Sequence, residues 1–424
     1  MWRGVFRSSP PPSIVQFRNS NSGLHDSAGY DIISANKNEV ERMIAREISR
    51  IVMEMAGYYP VVTIMGPRQS GKTTLAKALF PHCAYFNLES SHVRDAALAD
   101  PRTFLASAPN GMILDEIQKA PQLLESVQVA TDEEKRNGRF IITGSHQPEL
   151  AQAISESLAG RTGIAELLPL STNELKSAGI DASKRDRMLF SGTMPRIYDS
   201  HIPPTRFYAD YFRTYIERDV RKILNVADLD RFELFVKLLA GRVGQLVNRQ
   251  ALASDVGVSD KTIANWMSVL RASYIIFPLR PYYRNFGKRQ TKTPKIYFFE
   301  TGLVSYLLGI HTAESVATHP LMGNLFENFV VAEELKRRFN NGEEANAYFY
   351  RNASGTIEVD LIVERDGKVH PLEIKASSTF SSSMTKGLKA FAEICPEAER
   401  GHVIYSGETM SAAVNFADTD AWCV

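Results

Sequence analysis

From about residue 59 to 170 the chain alternates short apolar runs with longer helical stretches. The runs predict strands at 61–65, 84–88, 111–115, 140–144 and 164–168. Strands alternating with helices in this way predict a parallel sheet with helices packed on it. Residues 171–240 read as mostly helical, broken by the Gly192–Pro195 loop, and 241–290 as short helices followed by strand and turn. The α/β pattern returns at 320–406, with a helix at 322–338, strands near 347–351, 357–364 and 369–375, a helix at 384–394 and a strand at 402–405. Residues 1–38 carry Pro10-Pro11-Pro12, many Ser and Asn, and no acid before Asp26; they read as an extension, with a transit peptide, on Arg3, Arg7 and Arg18, as the other reading. A helix is expected through Glu41–Ile48, with Met43 a candidate start. The expected divisions are an extension at 1–42, an α/β core at 43–170, a helical region at 171–240, a middle region at 241–295 and a second α/β domain at 296–424.

Composition adds little. The 424 residues are 44% hydrophobic and 23% charged with a net charge of +1, so any nucleic-acid contact must come from local patches. Cys83, Cys395 and Cys423 form no C-x-x-C pair, so neither a disulfide framework nor a zinc ribbon is indicated, and a reducing cytoplasm is the expected setting. No apolar run is long enough to cross a membrane as a helix.

The first expected strand runs into Gly66-Pro67-Arg68-Gln69-Ser70-Gly71-Lys72-Thr73-Thr74, and Leu75-Ala76-Lys77-Ala78-Leu79 follows as a helix. This is the spacing G-x-x-x-x-G-K-[ST] between a strand and a helix. Glycines let backbone N–H groups curl around phosphate oxygens, and the helix N-terminus adds partial positive charge. Lys72 can then reach the β- and γ-phosphates of a nucleoside triphosphate, and the Thr73 hydroxyl can hold Mg²⁺. Downstream, Met112-Ile113-Leu114 ends in Asp115-Glu116. Asp115 stands where a second carboxylate holds Mg²⁺ through water, and Glu116 where a general base polarises the attacking water. Phe140-Ile141-Ile142-Thr143-Gly144 ends in Ser145 and His146, and Ser145 is a candidate for the γ-phosphate or the water, with a plain turn as the other reading. Arg161 is expected near the same end of the sheet, either stabilising transition-state charge in cis or in a neighbouring subunit, or forming a surface salt bridge. Together these residues resemble the AAA-type ATPases, in the P-loop class that places an extra strand between the acid-bearing and phosphate-bearing strands. The resemblance implies ATP hydrolysis rather than kinase or GTPase chemistry.

Asn248–Met267 reads as helix, turn, helix: Ala253 is small where the helices cross, Gly257 allows the turn, Val258 plugs the core and Ser259 caps the second helix. Ile263, Trp266, Met267 and Leu270 recur at helical spacing and read as core. A strand from Tyr274 to Leu279 then suggests a winged helix. No acid occurs from Lys261 to Phe299, a span with Lys261, Arg271, Arg280, Arg284, Lys288, Arg289, Lys292 and Lys295 among Tyr282, Tyr283 and Phe286. It suits phosphate contacts with base stacking on DNA, or a solvated loop or a packing surface.

The last domain gathers a second set of carboxylates. Glu327 lies on the helix Leu325–Val330, Glu358 and Asp360 share a strand face, and Glu373 and Lys375 share another. Acids in buried strands need a partner, and a second divalent metal held by Asp360 and Glu373, with Glu327 and Lys375, would supply one. The order of helix, hairpin, E-x-K strand, helix and strand resembles the PD-(D/E)xK restriction-endonuclease-like fold. The whole chain from about 43 to 406 resembles prokaryotic AAA-family ATPases with a C-terminal nuclease-like domain of unknown function. It departs from that pattern at Gly192-Thr193-Met194-Pro195, where Gly-Gly-aromatic-Pro is usual, and at Glu300, where Asp is usual before Thr-Gly-Leu. The resemblance implies fold and ATP use; a nucleic-acid partner is expected from the basic stretch, and a homo-oligomer stays open.

Overall fold

The computed structural model describes residues 43–145, 148–215, 229–282, 293–352 and 354–422. The expectations for the extension at 1–42, for His146 and for Tyr283 to Lys292 lie outside the described residues. In chain order, the first part folds as α1 (Ser49–Tyr58), β1 (Val61–Met65), α2 (Lys72–Leu79), β2 (Ala84–Asn87), α3 (Ser91–Ala99), α4 (Pro101–Ala106), β3 (Met112–Asp115), α5 (Leu123–Glu134), β4 (Phe140–Gly144), α6 (Pro148–Ser157) and β5 (Thr162–Glu166). All five strands are parallel in the order β2-β3-β4-β1-β5, so β4 lies between the acid-bearing β3 and the loop-bearing β1. Every position of β1 is buried. Alternate residues feed two cores, with Val61, Met65, Leu114 and Ile142 against Phe104 and Val127 on one face. Val62, Ile64, Ile113 and Ile141 pack against Ile48, Leu75 and Phe80 on the other. β-Branched residues suit such a strand, and each large apolar side chain buried there contributes about 1.5–3 kcal/mol.

The helix expected through Glu41–Ile48 instead begins at Ser49. In the segment before it the Glu47 N–H, which a continuing helix would use, donates instead to Glu174 Oε1 at 2.8 Å, and Arg46 Nε donates to the same oxygen at 3.0 Å.

The helical region comprises α7 (Thr172–Ser177), α8 (Arg185–Ser191), α9 (Pro195–Asp199), α10 (Pro204–Tyr215) and α11 (Leu229–Ala240). It is followed by β6 (Gln245–Leu246), α12 (Arg249–Val256), α13 (Asp260–Ala272), β7 (Ile276–Pro281) and β8 (Lys295–Phe298). The turn between α12 and α13 forms as expected: Gly257 is left-handed at φ 74°, and Ser259 Oγ accepts the Thr262 N–H at 3.1 Å. Trp266 is core, with its ring 5.2 Å from that of Phe232. The chain ends with α14 (Thr301–Leu307), α15 (Ala313–Ala317), α16 (Met322–Asn340), β9 (Ala347–Arg351), β10 (Glu358–Arg365), β11 (Lys368–Lys375), α17 (Lys386–Ile394), β12 (His402–Tyr405) and β13 (Ala413–Asn415).

These strands form one eight-stranded sheet, ordered β13-β12-β11-β10-β9-β7-β8-β6. β7 pairs with β8 antiparallel and with β9 parallel, so the middle region and the last domain share a sheet. The boundary expected between 295 and 296 falls inside β8. One apolar core runs from Leu168 through Phe235, Trp266 and Phe298 to Phe329 and Trp422. Among the described residues no helix is long and apolar enough to cross a membrane.

Candidate functional site

The loop Gly66–Gly71 leaves the C-terminal end of β1, where the parallel strands present their open ends. Gly66 has φ 153°, and a Cβ there would lie 2.1 Å from the Leu167 carbonyl oxygen, so no side chain fits. Gln69 and Gly71 are also left-handed, at φ 62° and 95°. Pro67 is buried, Arg68 half-buried and Thr74 exposed at the mouth. Lys72 opens α2, and its ammonium donates to the carbonyls of Gly66 at 3.0 Å and Pro67 at 2.7 Å. Burial pulls its pKa down to about 8, with Glu116 and Asp115 opposing the shift.

Side chains from one helix and two strands converge on Asp115. Thr73 Oγ1 donates to Asp115 Oδ1 at 2.9 Å and Tyr85 Oη donates to Oδ2 at 2.8 Å, while Thr143 also donates to Oδ1. The residues expected to hold Mg²⁺, Thr73 and Asp115, are thus in direct contact. Glu116 turns left-handed at φ 59°, an uncommon conformation for a residue with a side chain, and its carboxylate accepts from Gln118 Nε2. Ser70 Oγ and Ser145 Oγ are buried without a hydrogen-bond partner among the described residues. Buried hydroxyls left unpaired at the loop and at the end of β4 fit a polyphosphate and its metal.

Arg161 does not join this site. Its carbonyl accepts the Val61 N–H, which puts it at the opposite end of the strands from the loop. At about 3.3 Å per residue, β1 separates the two ends by roughly 16 Å. There Arg161 binds Asp132 through Nε at 2.7 Å and Nη2 at 2.9 Å, the surface ion pair of the two readings.

The sequence reading missed Arg46. It is 7% exposed and lies behind the loop. Nη1 donates to the Ser70 carbonyl and Nη2 to the Leu168 carbonyl, both at 2.7 Å, and Nε to Glu174. Glu174 closes a capping box with Ser171, a spacing visible in the sequence, but nothing there names Arg46 as its partner. Ser171 Oγ donates to Glu47, which also accepts from Asn340 on α16 at 3.0 Å. Glu333, also on α16, accepts the Thr172 N–H at 2.7 Å, and Lys336 donates to Glu333 at 2.6 Å and Thr193 at 2.8 Å. Thr193 in turn donates its N–H to Glu300 at 2.9 Å. The two departures from the family pattern, Thr193 and Glu300, therefore face one another. Polar bonds thus run from the loop to α16, buried at Arg46–Glu174 and Thr172–Glu333 and partly buried through Glu47.

At the other part of α16 the C-terminal carboxylates do gather. Lys375 Nζ lies 3.0 Å from Asp360 Oδ2 and 2.6 Å from Glu373 Oε1. Burial and Asp360 push the Glu373 carboxyl up to about 8. Glu327 is also raised, by burial, with Lys295 opposing. The expected basic surface loses a member here, because Lys295 is buried and bonds Glu327 at 2.9 Å and Glu358 at 2.7 Å. Tyr282 is likewise buried against Tyr348 and Phe391, so it offers no stacking face. Among the described residues no group of three or more His, Cys, Asp or Glu that could hold a metal ion is found.

Residues 58–176 match the family model described as an AAA domain. Residues 182–314 and 322–419 match two domains of unknown function, DUF8612 and DUF4143. The uncharacterized proteins Rv2008c of Mycobacterium tuberculosis and Mb2031c of Mycobacterium bovis are each 31% identical over 402 residues, covering 94% of this chain and 86% of theirs. Among solved structures, the Walker-type ATPase PABY2304 of Pyrococcus abyssi aligns with a TM-score of 0.43 at 14% identity, covering 63% of this chain and 96% of that one. That likeness is too loose to add to what the sheet order establishes.

Proposed function

The chain belongs to the family of the uncharacterized mycobacterial proteins Rv2008c and Mb2031c, and from that premise, with its AAA domain, we propose that it is an ATPase whose turnover switches the C-terminal domain. The observation that carries this reading is the contact of Thr73 with Asp115 beside the glycine loop, with Glu116 next in the chain and acting electrostatically on Lys72. Mg-ATP bound in the loop Gly66–Thr74 supplies the phosphoryl group and the charge-neutralising metal, which Thr73 and Asp115 would hold. Lys72 exchanges its loop carbonyls for phosphate oxygens. Glu116 accepts a proton from water, with Gln118 positioning its carboxylate. Ser145 lends its unpaired hydroxyl to the same end of the sheet. The polar chain from Arg46 to Glu333 and Lys336 supports coupling, since α16 also carries Glu327.

Nucleic acid is the proposed partner. The helix pair α12–α13 with strands β6, β7 and β8 has the parts of a winged helix. Lys261, Arg271 and Arg280 are exposed, and the two arginines line an open cleft of about 530 Å³ with Tyr348 and Glu364. A second reading, an ATP-gated nuclease of restriction-endonuclease-like fold, is favoured by the convergence of Asp360, Glu373 and Lys375.

Glu116→Gln should bind ATP as the wild type does and hydrolyse it about 10²–10⁴-fold more slowly. Unchanged turnover would remove Glu116 from the role. Wild-type turnover near zero, with nucleotide tightly retained, would instead mark a nucleotide-bound regulator. The same assays with DNA should show binding that weakens steeply with salt, and no binding at low salt would discard the nucleic-acid partner.

A further inference from the structure

The carboxylates of the C-terminal domain do not point at a common empty space, because a side chain from the middle region stands among them. Lys295 opens β8 and its side chain is 4% exposed. Its ammonium lies 2.9 Å from Glu327 Oε1, 2.7 Å from Glu358 Oε1 and 4.0 Å from Asp360 Oδ1. Tyr297, two residues along the same strand face, donates to Glu327 Oε1 at 2.5 Å. On the far side Asp360 Oδ2 accepts the Ile374 N–H at 2.9 Å and Lys375 at 3.0 Å. The two lysines therefore divide the cluster. A divalent ion of this size takes its oxygens at about 2.1 Å and needs them to converge. Here the space between Glu327, Glu358 and Asp360 already holds a positive charge.

Lys295 is not placed to leave. Its strand neighbours Ile296, Tyr297 and Phe298 are at most 1% exposed, and β8 is paired on both sides. Its charge is also needed. Four carboxylates face Lys295, Lys375 and, at 3.7 Å from Glu358, Arg351. Withdrawing Lys295 would leave buried acids uncompensated, which costs far more than a surface pair.

We propose that Lys295 is the resident cation of this cluster and takes the place of a divalent metal, so that the C-terminal domain binds none there. This inference is independent of hydrolysis at the glycine loop, and it stands against the nuclease reading. It further implies that the metal site is latent. Replacing Lys295 by a neutral side chain leaves four acids with room for a divalent ion.

The test is Mn²⁺ binding to the full chain without nucleotide, by calorimetry and by the loss of the free-ion electron paramagnetic resonance signal. Asp360→Asn identifies binding that belongs to the cluster. The wild type should show no Mn²⁺ binding that Asp360→Asn removes. Lys295→Met, or Lys295→Gln where the first does not melt cooperatively, should gain one equivalent, at least about tenfold tighter than any wild-type binding. That gain should disappear in the double variant with Asp360→Asn. One equivalent on the wild type, lost in Asp360→Asn, would overturn the proposal, as would a folded Lys295 variant that gains nothing. Should neither variant fold, the comparison of wild type with Asp360→Asn decides alone.

Discussion

Lys72 illustrates how burial sets the behaviour of a single residue. Its ammonium sits on the carbonyls of Gly66 and Pro67, and burial lowers its pKa from 10.5 to about 8 against the pull of Glu116 and Asp115. Between those two values the unfolded chain binds more protons than the folded one. The Lys72 contribution to stability therefore rises with pH across that window, and the charged group is a burden below it. Polyphosphate needs the charged form. ATP affinity should then be constant below pH 8 and fall by about tenfold per unit above it. Lys72→Arg, whose guanidinium does not titrate there, should lack that slope whatever its absolute affinity. Titration of a fluorescent ATP analogue at pH 7, 8 and 9 measures both, and a flat wild-type profile would discard the argument. Lys72 was legible because its spacing from Gly66 and Gly71 is fixed by the chemistry of phosphate. Arg46 was not, because its partners lie 24, 122 and 128 residues away and no local period records them.

Helix α16 shows the same division at the scale of an element. Its extent was legible from its periodicity, but the buried polar residues it carries were not expected to be satisfied one by one. Asn328 accepts the Phe298 N–H at 2.7 Å and donates to Thr301 at 2.9 Å. Lys336 is 2% exposed and holds Glu333, the Leu170 carbonyl and Thr193 together. Removing one partner of such a pair leaves the other charge buried and unpaired. Lys336→Met should therefore destabilise the protein by about 3–5 kcal/mol, and adding Glu333→Gln should recover part of the loss. Urea unfolding midpoints at unchanged slope measure this. A loss below about 1 kcal/mol would mean that the contacts are no better than exposed ion pairs. Strand β8 was the harder element to read. Lys295 at its head looked like one more member of a basic, acid-poor stretch, and only the pairing of β8 beside β7 turns that side chain towards Glu327 and Glu358.

At the scale of the whole molecule, the order of parts was readable but their independence was not. The five-stranded sheet has a core on each face, closed by residues no later than Leu167. After it, one core runs from Leu168 to Trp422, a second packs Val359, Phe391 and Val403 with Tyr282, and a sheet runs through the boundary expected at 295. Short-range patterns locate strands and helices, but they do not say that β7 pairs with β9, Arg280 with Tyr348 and Pro281 with Phe349, each 68 residues apart. A fragment spanning 296–424 would lose β6, β7 and the Lys295 ammonium, and would bare Phe298, Phe326 and Phe329. Exposure of that apolar surface, with Glu327 and Glu358 uncompensated, should leave it without a cooperative thermal transition. A fragment spanning 168–424 keeps the shared core and should melt cooperatively. Circular dichroism at 222 nm during heating compares them, and a cooperative transition in the shorter fragment would show that the last domain is separable. If the longer fragment alone folds, a switch at the glycine loop acts on the helical region, the middle region and the carboxylate cluster as one body, with α16 as the element that both ends of the molecule grip.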